Sequence, residues 1–281
     1  MNFDPNIPNL YEEALRYERA GDSYMAIKLY KRLIKLSPEW LKPYQHLGQI
    51  YKIRREWKPA FHYWKKTVAL DASDQEAWWS LGISATALKK RRLAQSVWSK
   101  FGLTNLKKKP KGLRLTYDGG FEILWMMPSN PASGIILSIP HPASGFRFRD
   151  VMLHDRKPVG HHIVNQRRVP VFEELGRFKR SPFRTFSCLL HTSDNKAIRQ
   201  LEELCHTAQL GFEVWSNSTR TTSMAGREAF PEYYGHDIIP REEEGETTLV
   251  AMAAIHEIEI QRILDNWQII CLEHYSDLRG Y

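Results

Sequence analysis

LKPYQHLGQIYKIRREWKPAFHYWKKTVALDASD, residues 41–74, and QEAWWSLGISATALKKRRLAQSVWSKFGLTNLKK, residues 75–108, are two copies of one pattern, and IPNLYEEALRYERAGDSYMAIKLYKRLIKLSPEW, residues 7–40, is a third. The spacing between copies is 34 residues, without insertion. In register, Leu10, Tyr44 and Trp78 share a column, as do Ala14, Gly48 and Gly82, then Ala26, Ala60 and Ala94, then Tyr30, Trp64 and Trp98. Tyr17 and Tyr51 align above Ala85, while Leu47 and Leu81 align under a mismatched Glu13. Small residues alternating with large apolar ones at fixed offsets allow two helices to cross closely in each copy. Gly21-Asp22, Arg55-Glu56 and Lys89-Lys90 fall where each pair of helices turns, and Pro38 marks a break between pairs.

This pattern resembles the tetratricopeptide repeat family over residues 7–106. The resemblance implies three helical hairpins stacked as a solenoid, with the first helix of each lining a groove that binds other proteins. Carried over position by position, the groove columns are Tyr11, Leu15 and Arg19 in the first copy; Lys42, Gln45, His46, Gln49 and Lys52 in the second; and Glu76, Trp79 and Ile83 in the third. That mixture of aromatic, amide and basic groups suits an extended peptide or an inserted helix. One version of the groove clamps a terminal carboxylate with Lys, Asn and Arg. Here those columns hold Tyr11, Leu15, His46, Glu76 and Ser80, which argues against that ligand. Trp78 and Trp79 are neighbours on one helix, so they cannot fill the same core column. Trp79 either packs between copies or stands exposed as an anchor for a partner.

Charge divides the chain. Residues 1–112 hold 22 Lys and Arg against 10 Asp and Glu, and the remainder 18 against 22, within an overall balance of +8. The basic half favours an acidic protein, nucleic acid or an anionic membrane, although its lysine runs also suit solvated helix ends. The first residues, MNFDPNIPNLYEEA, carry acids and prolines where a secretory signal needs a basic segment and an apolar run, and no stretch reaches the length of a membrane span. The reading is a cytoplasmic, bacterial protein that does not contact a membrane. Cys188, Cys205 and Cys271 are widely spaced and odd in number, consistent with buried thiols rather than a disulfide framework or a metal knuckle.

Past residue 108 the periodicity becomes strand-like, so the sequence predicts an α+β protein: an all-α repeat domain over 1–108, then an α+β domain over 109–281. Within the latter, 113–172 reads as a small antiparallel sheet. LRLTYDGGFEILWMM gives a hairpin at Asp118-Gly119-Gly120, GIILSI a third strand, and DVMLHDRKPVGHHIV a second hairpin around Arg156–Pro158. Residues 183–281 read as two βαβ units with helices over NKAIRQLEELCHTAQ and HEIEIQRILDNW, the pattern of a ferredoxin-like sandwich, with QIICLEHYS as its last strand. The third hairpin has no polar capping helix of its own, and the C-terminal domain is expected to cover that end. VPVFEELGRFKRSPFRTFSCLL, residues 169–190, looks like a module that follows helical repeats in uncharacterised bacterial proteins. Those continue with a Cys- and His-rich stretch suited to a metal; here SNSTRTTSMAGREAF has no cysteine, so a metal site does not carry over.

Enzyme chemistry finds little support. His161-His162 would point to opposite faces of a strand, His256-Glu257 lacks a second His four residues on, and Gly235-His236-Asp237 is only a tripeptide. No phosphate loop, nucleophile elbow or cofactor signature appears, so no cofactor or catalytic residue is expected, and an enzyme of unassigned type stands as the last alternative. A second reading is nucleic-acid binding, since Arg147 and Arg149 interleave with Phe146 and Phe148, and Arg167, Arg168, Arg177, Lys179 and Arg180 follow. The leading reading is a protein-binding adaptor or scaffold, or an immunity-type inhibitor of a toxin.

Overall fold

The 34-residue columns fold into six helices: α1 (Asn6–Arg19), α2 (Ser23–Leu36), α3 (Leu41–Ile53), α4 (Trp57–Leu70), α5 (Gln75–Ala87) and α6 (Arg91–Lys100). The computed structural model describes residues 6–103, 109–117, 120–164, 167–216, 221–223 and 247–281. The chain forms two compact units, Met1–Leu106 and Lys107–Tyr281.

In the first unit the repeat columns are the packing contacts of a tetratricopeptide-like array. A Cβ on Gly48 would lie 2.7 Å from Trp64 Cε2, and one on Gly82 would lie 2.5 Å from Trp98 Cη2. The eighth position is therefore small because an indole from the paired helix rests on its backbone. In the first copy Ala14 and Tyr30 hold the same columns and are both fully buried. The turn inside each hairpin passes through a left-handed residue, Gly21 (φ 81°), Arg55 (φ 59°) and Lys89 (φ 57°), and only the first is glycine. Asp22 and Asp74 cap α2 and α5 by accepting from the backbone N–H groups of Met25 and Ala77. Trp79 is 7% exposed, its ring edge-on to Trp98 and Phe101, so it is not an exposed anchor; Trp78 is the half-buried member, with Lys100 over its ring at 4.2 Å.

The second unit runs β1 (Lys111–Tyr117), β2 (Gly120–Asn130), β3 (Ser133–Ile136), β4 (Val151–Val164), β5 (Arg167–Lys179), β6 (Arg184–Leu190), α7 (Asn195–Thr207), β7 (Gly211–Val214), β8 (Thr221–Ser223), β9 (Thr248–Ala254), α8 (Glu257–Cys271) and β10 (Tyr275–Gly280). The first five strands pair as a meander, and β5 then lies parallel to β1, with Gly112 opposite Val171, which closes the sheet into a ring. The expected small antiparallel sheet is thus closed, by one parallel pairing, into a five-stranded barrel, with β8 added against β2. Leu113, Leu115, Leu124, Met126, Ile136 and Met152 fill its core. No turn occurs at Arg156–Pro158: β4 continues through it, with register shifts between Leu153 and Gly160, and Pro158 pairs with Phe172 of β5. These irregularities admit a proline inside a long strand and bend the strand around the barrel.

The other half of this unit is a four-stranded antiparallel sheet in the order β10-β6-β9-β7. With α7 and α8 as crossovers, that order is the ferredoxin-like arrangement. Phe186, Cys188, Leu201, Cys205, Val250, Met252, Leu264 and Trp267 form its core, and the Trp267 indole donates to Ala197 O at 2.8 Å, tying α8 to α7. The last strand begins at Tyr275, not in QIIC, because α8 runs on to Cys271 and ends at Leu272 in a left-handed cap (φ 55°). Cys188 and Cys205 are buried, whereas Cys271 is partly exposed, against the expectation of three buried thiols.

Candidate functional site

Among the described residues, side chains able to act on another molecule gather on a face of the leading helices, in an arginine cluster and around a cavity in the second unit. On the first helices, Tyr11, Leu15 and Arg19 recur at i, i+4 and i+8 on α1, and Lys42, Gln45, His46 and Gln49 at i, i+3, i+4 and i+7 on α3, which sets each group on one face. Arg19, Lys42 and Gln49 are exposed, and Tyr11, Leu15, Gln45 and His46 are half-buried. Lys52, Trp79 and Ile83 are buried, as is every residue from Trp79 to Thr86 on α5. Glu76, at the start of α5, is half-buried, so the accessible side chains lie on α1, on α3 and at that one position of α5.

That face is held in place by a polar network. Tyr11 Oη lies 3.0 Å from His46 Nε2, His46 Nδ1 lies 2.9 Å from Glu18 Oε2, and the Tyr30 hydroxyl donates to the same carboxylate oxygen at 2.5 Å. Burial alone would raise the Glu18 pKa, but the bonds from His46 and Tyr30 hold it below the ordinary carboxylate range. Burial, together with the bond to Glu18, pushes the Tyr30 phenol well above its usual value. Gln45 Nε2 donates to Asp74 Oδ2 at 2.7 Å, linking α3 to the cap of α5. Tyr11, Gln45 and His46 thus brace the array as well as line the face.

The arginines proposed for nucleic acid separate into two groups. Arg167 and Arg168 begin β5, while Arg177 and Lys179 end it and Arg180 follows. The nearest members, Arg168 and Arg177, are nine residues apart, about 30 Å of chain along the strand. The second group joins Arg147, Arg149 and Arg184. Arg149 sits over Phe148 and Phe183, Arg177 over Phe146, and Arg184 over Phe186, at 4.8–5.5 Å from the ring centroids. Beneath them Asp150 is fully buried and accepts from the Ser181 N–H at 2.6 Å and the Arg147 N–H at 3.0 Å. Arg177 Nε lies 3.4 Å from Asp150, and its guanidinium donates to Gly145 O at 2.8 Å. The sequence signal for this cluster was the FRFRD stretch; the pairing of β4 with β5 brings it to Arg177 and Lys179, and Arg184 follows at the start of β6.

A cavity of about 420 Å³ lies in the second unit, lined by Glu122, His141, Ser187, Trp215, Arg279 and Tyr281 among others. Glu122 is 1% exposed and accepts from the His141 N–H at 3.2 Å, while the imidazole lies between the Tyr117 and Trp215 rings. Its Nδ1 accepts from the Ala143 N–H, which leaves the proton on Nε2. Nothing in the residue pattern marks this cavity, because its walls come from positions scattered between 122 and 281.

Among the described residues no group of His, Cys, Asp and Glu is placed to hold a metal ion, and no helix is long and apolar enough to cross a membrane. His161 is exposed and His162 buried, on opposite sides of β4. His256 caps α8 in a reciprocal arrangement with Glu259, and Gly235-His236-Asp237 lies outside the described residues.

No family model matches the sequence, and no curated protein matches it. Solved structures of TPR proteins match its leading third. The first TPR of Spaghetti (RPAP3), bound to the HSP90 peptide SRMEEVD, is 21% identical over 34% of this chain and 75% of its own, with a TM-score of 0.31. The CopN-Scc3 complex matches at 17% identity over 35% of this chain and 58% of its own, with a TM-score of 0.33. A crystal structure of MamA matches at 21% over 34% of this chain and 55% of its own, with a TM-score of 0.32. This chain therefore spans less than two thirds of the last two.

Proposed function

We propose that this protein is a non-enzymatic adaptor that holds a partner polypeptide against the first helices of its TPR-like array. The observation that carries the reading is the face of α3, where Lys42 and Gln49 are exposed on either side of half-buried Gln45 and His46. Arg19 on α1 is exposed as well, so the fully exposed charged groups of these columns are cationic and favour an acidic segment, with Glu76 of α5 half-buried beside them in the pattern. Bracing of Tyr11 and His46 by Glu18 and Tyr30 supports the reading, because a pre-organised face loses less freedom on binding. An immunity-type inhibitor would use the same face for one tight folded partner instead of a short segment.

A photo-crosslinking residue placed at Gln49 should capture a partner in native extracts, and the same residue at Lys65 on α4 should not. Fragments of the captured protein then separate the two versions: an adaptor keeps its affinity for a peptide of the partner, an inhibitor only for the intact partner. Equal capture from both positions would remove the α1–α3 face as the site.

A further inference from the structure

The cluster that ends β5 differs from the surface the sequence suggested, and the difference decides what it can bind. Interleaved Phe and Arg read as a stacking platform for bases. In the structure the phenyl faces are occupied by the protein's own guanidiniums: Arg149 lies over both Phe148 and Phe183, and Arg177 over Phe146. These contacts place guanidiniums where bases would stack, which argues against a base-stacking role, and they restrain Arg149, which lowers the cost of ordering it around an anion.

The charges are also unbalanced. Burial lowers the Arg147 pKa first, and the charge of Arg180 adds to this, as do Arg177 and Arg184; Asp150 acts the other way. The geometry agrees: the N–H groups of Arg147 and of Ser181, next to Arg180, bind the same Asp150 carboxylate, and Arg149 lies over Phe183, next to Arg184. Asp150 has both carboxylate oxygens engaged by backbone N–H groups, and Arg177 is drawn toward it and Gly145 as part of the scaffold. Arg149, Arg180 and Arg184 are exposed and Arg147 half-exposed. Such a compact group of planar donors matches the several oxygens of a phosphate, and bidentate guanidinium contacts are the strong ones. Arg167 and Arg168, about 30 Å or more of chain back along β5 from Arg177, do not extend the cluster into a track for a nucleic-acid backbone.

We propose that Arg147, Arg149, Arg180 and Arg184, set around buried Asp150, form a site for a compact phosphate group carrying more than one negative charge. The group is a free di- or triphosphate or a terminal phosphate monoester, not the diester backbone of a nucleic acid.

The test uses the full-length protein and calorimetric titration with inorganic pyrophosphate, then with an oligothymidylate carrying a 5′-phosphate and the same oligomer without it. Saturable pyrophosphate binding is expected, weakened about tenfold or more by Arg180→Ala and by Arg184→Ala, both exposed positions, and unchanged by Arg168→Ala. Preference for the phosphorylated oligomer would assign the source to a nucleic-acid end; pyrophosphate binding with no such preference would assign it to a small phosphate. Absence of pyrophosphate binding at low salt overturns the proposal. So does equal, tighter binding of both oligomers with a steep salt dependence, or a loss from Arg168→Ala as large as from Arg180→Ala.

Discussion

Trp98 rests its six-membered ring directly on the backbone of Gly82, so that a methyl added there would meet the ring at 2.5 Å. Gly48 and Trp64 repeat the contact one copy earlier, and in the first copy a larger small residue, Ala14, goes with a smaller ring, Tyr30. Position and partner therefore vary together, and the pair can be exchanged as a pair.

Gly82→Ala gains about 1 kcal/mol of helix propensity but forces an indole with nowhere to go, for a net destabilisation of about 1–2 kcal/mol. Gly82→Ala with Trp98→Tyr should recover part of that loss, having the residues of the first copy. Urea unfolding of the two variants and of Trp98→Tyr alone measures the coupling; strict additivity would show that the columns do not touch.

Lys89 and Arg55 occupy left-handed turns where the first copy has Gly21. Lys89→Gly should stabilise the first unit by up to about 1 kcal/mol, since glycine adopts this conformation without the Cβ penalty. A lower unfolding midpoint would contradict it.

Reversing charge on the α3 face should weaken partner binding without unfolding the array. Lys42→Glu changes an exposed residue, and a loss of about tenfold for an acidic partner, shrinking as salt is raised, is expected from electrostatic complementarity. Lys66→Glu, exposed on α4, is the control. Identical losses from both would reduce the effect to net charge.

His154 is 1% exposed, and burial depresses its pKa from 6.5 to about 4, although its Nδ1 lies 2.7 Å from Asp155 O. The folded state keeps this imidazole neutral while the unfolded chain protonates near 6.5, so stability is lost as pH falls from about 6.5 toward 4. The contribution is at most about 3 kcal/mol. Comparing urea midpoints at pH 7.5 and pH 5 for the native protein and His154→Gln tests it; an unchanged pH difference in the variant would assign the acid lability elsewhere.

Burial pushes the thiols of Cys188 and Cys205 up to about 12, and both are fully buried. Cys271 is also raised, chiefly by burial, but its side chain is partly exposed. Native labelling with a thiol reagent should modify Cys271 alone and reach the other two only on unfolding. Rapid reaction of all three would mean that the core of the sandwich opens readily.

The repeat was legible because one constraint, a small residue beneath a ring, recurs in register and needs no long-range information. The sandwich was legible because its strands and amphipathic helices alternate, as in NKAIRQLEELCHT, where Ala197, Leu201 and Cys205 turn inward. The barrel was not, because its closure is a parallel pairing between Gly112 and Val171 and its longest strand carries a proline that reads as a turn. The end of α8 was misjudged because the left-handed cap falls on Leu272, where no glycine announces it. The arginine cluster was half visible: FRFRD supplied the chemistry, while the pairing of β4 with β5 decided which basic residues share a place. The cavity beside Glu122 was not visible, since no local pattern brings positions 122, 141, 215 and 279 together.

The parallel seam between β1 and β5 sets an order of events for a nascent chain. Residue 112 emerges from the ribosome long before residue 171 can reach it, and three further strands, β2 to β4, lie between the two that form the seam. Until then β1 presents an unpaired edge, which is where a neighbouring nascent chain would lodge a strand of its own. The barrel is therefore the slow and aggregation-prone part of biogenesis, while the helical array, whose contacts are local, is complete before the seam can form.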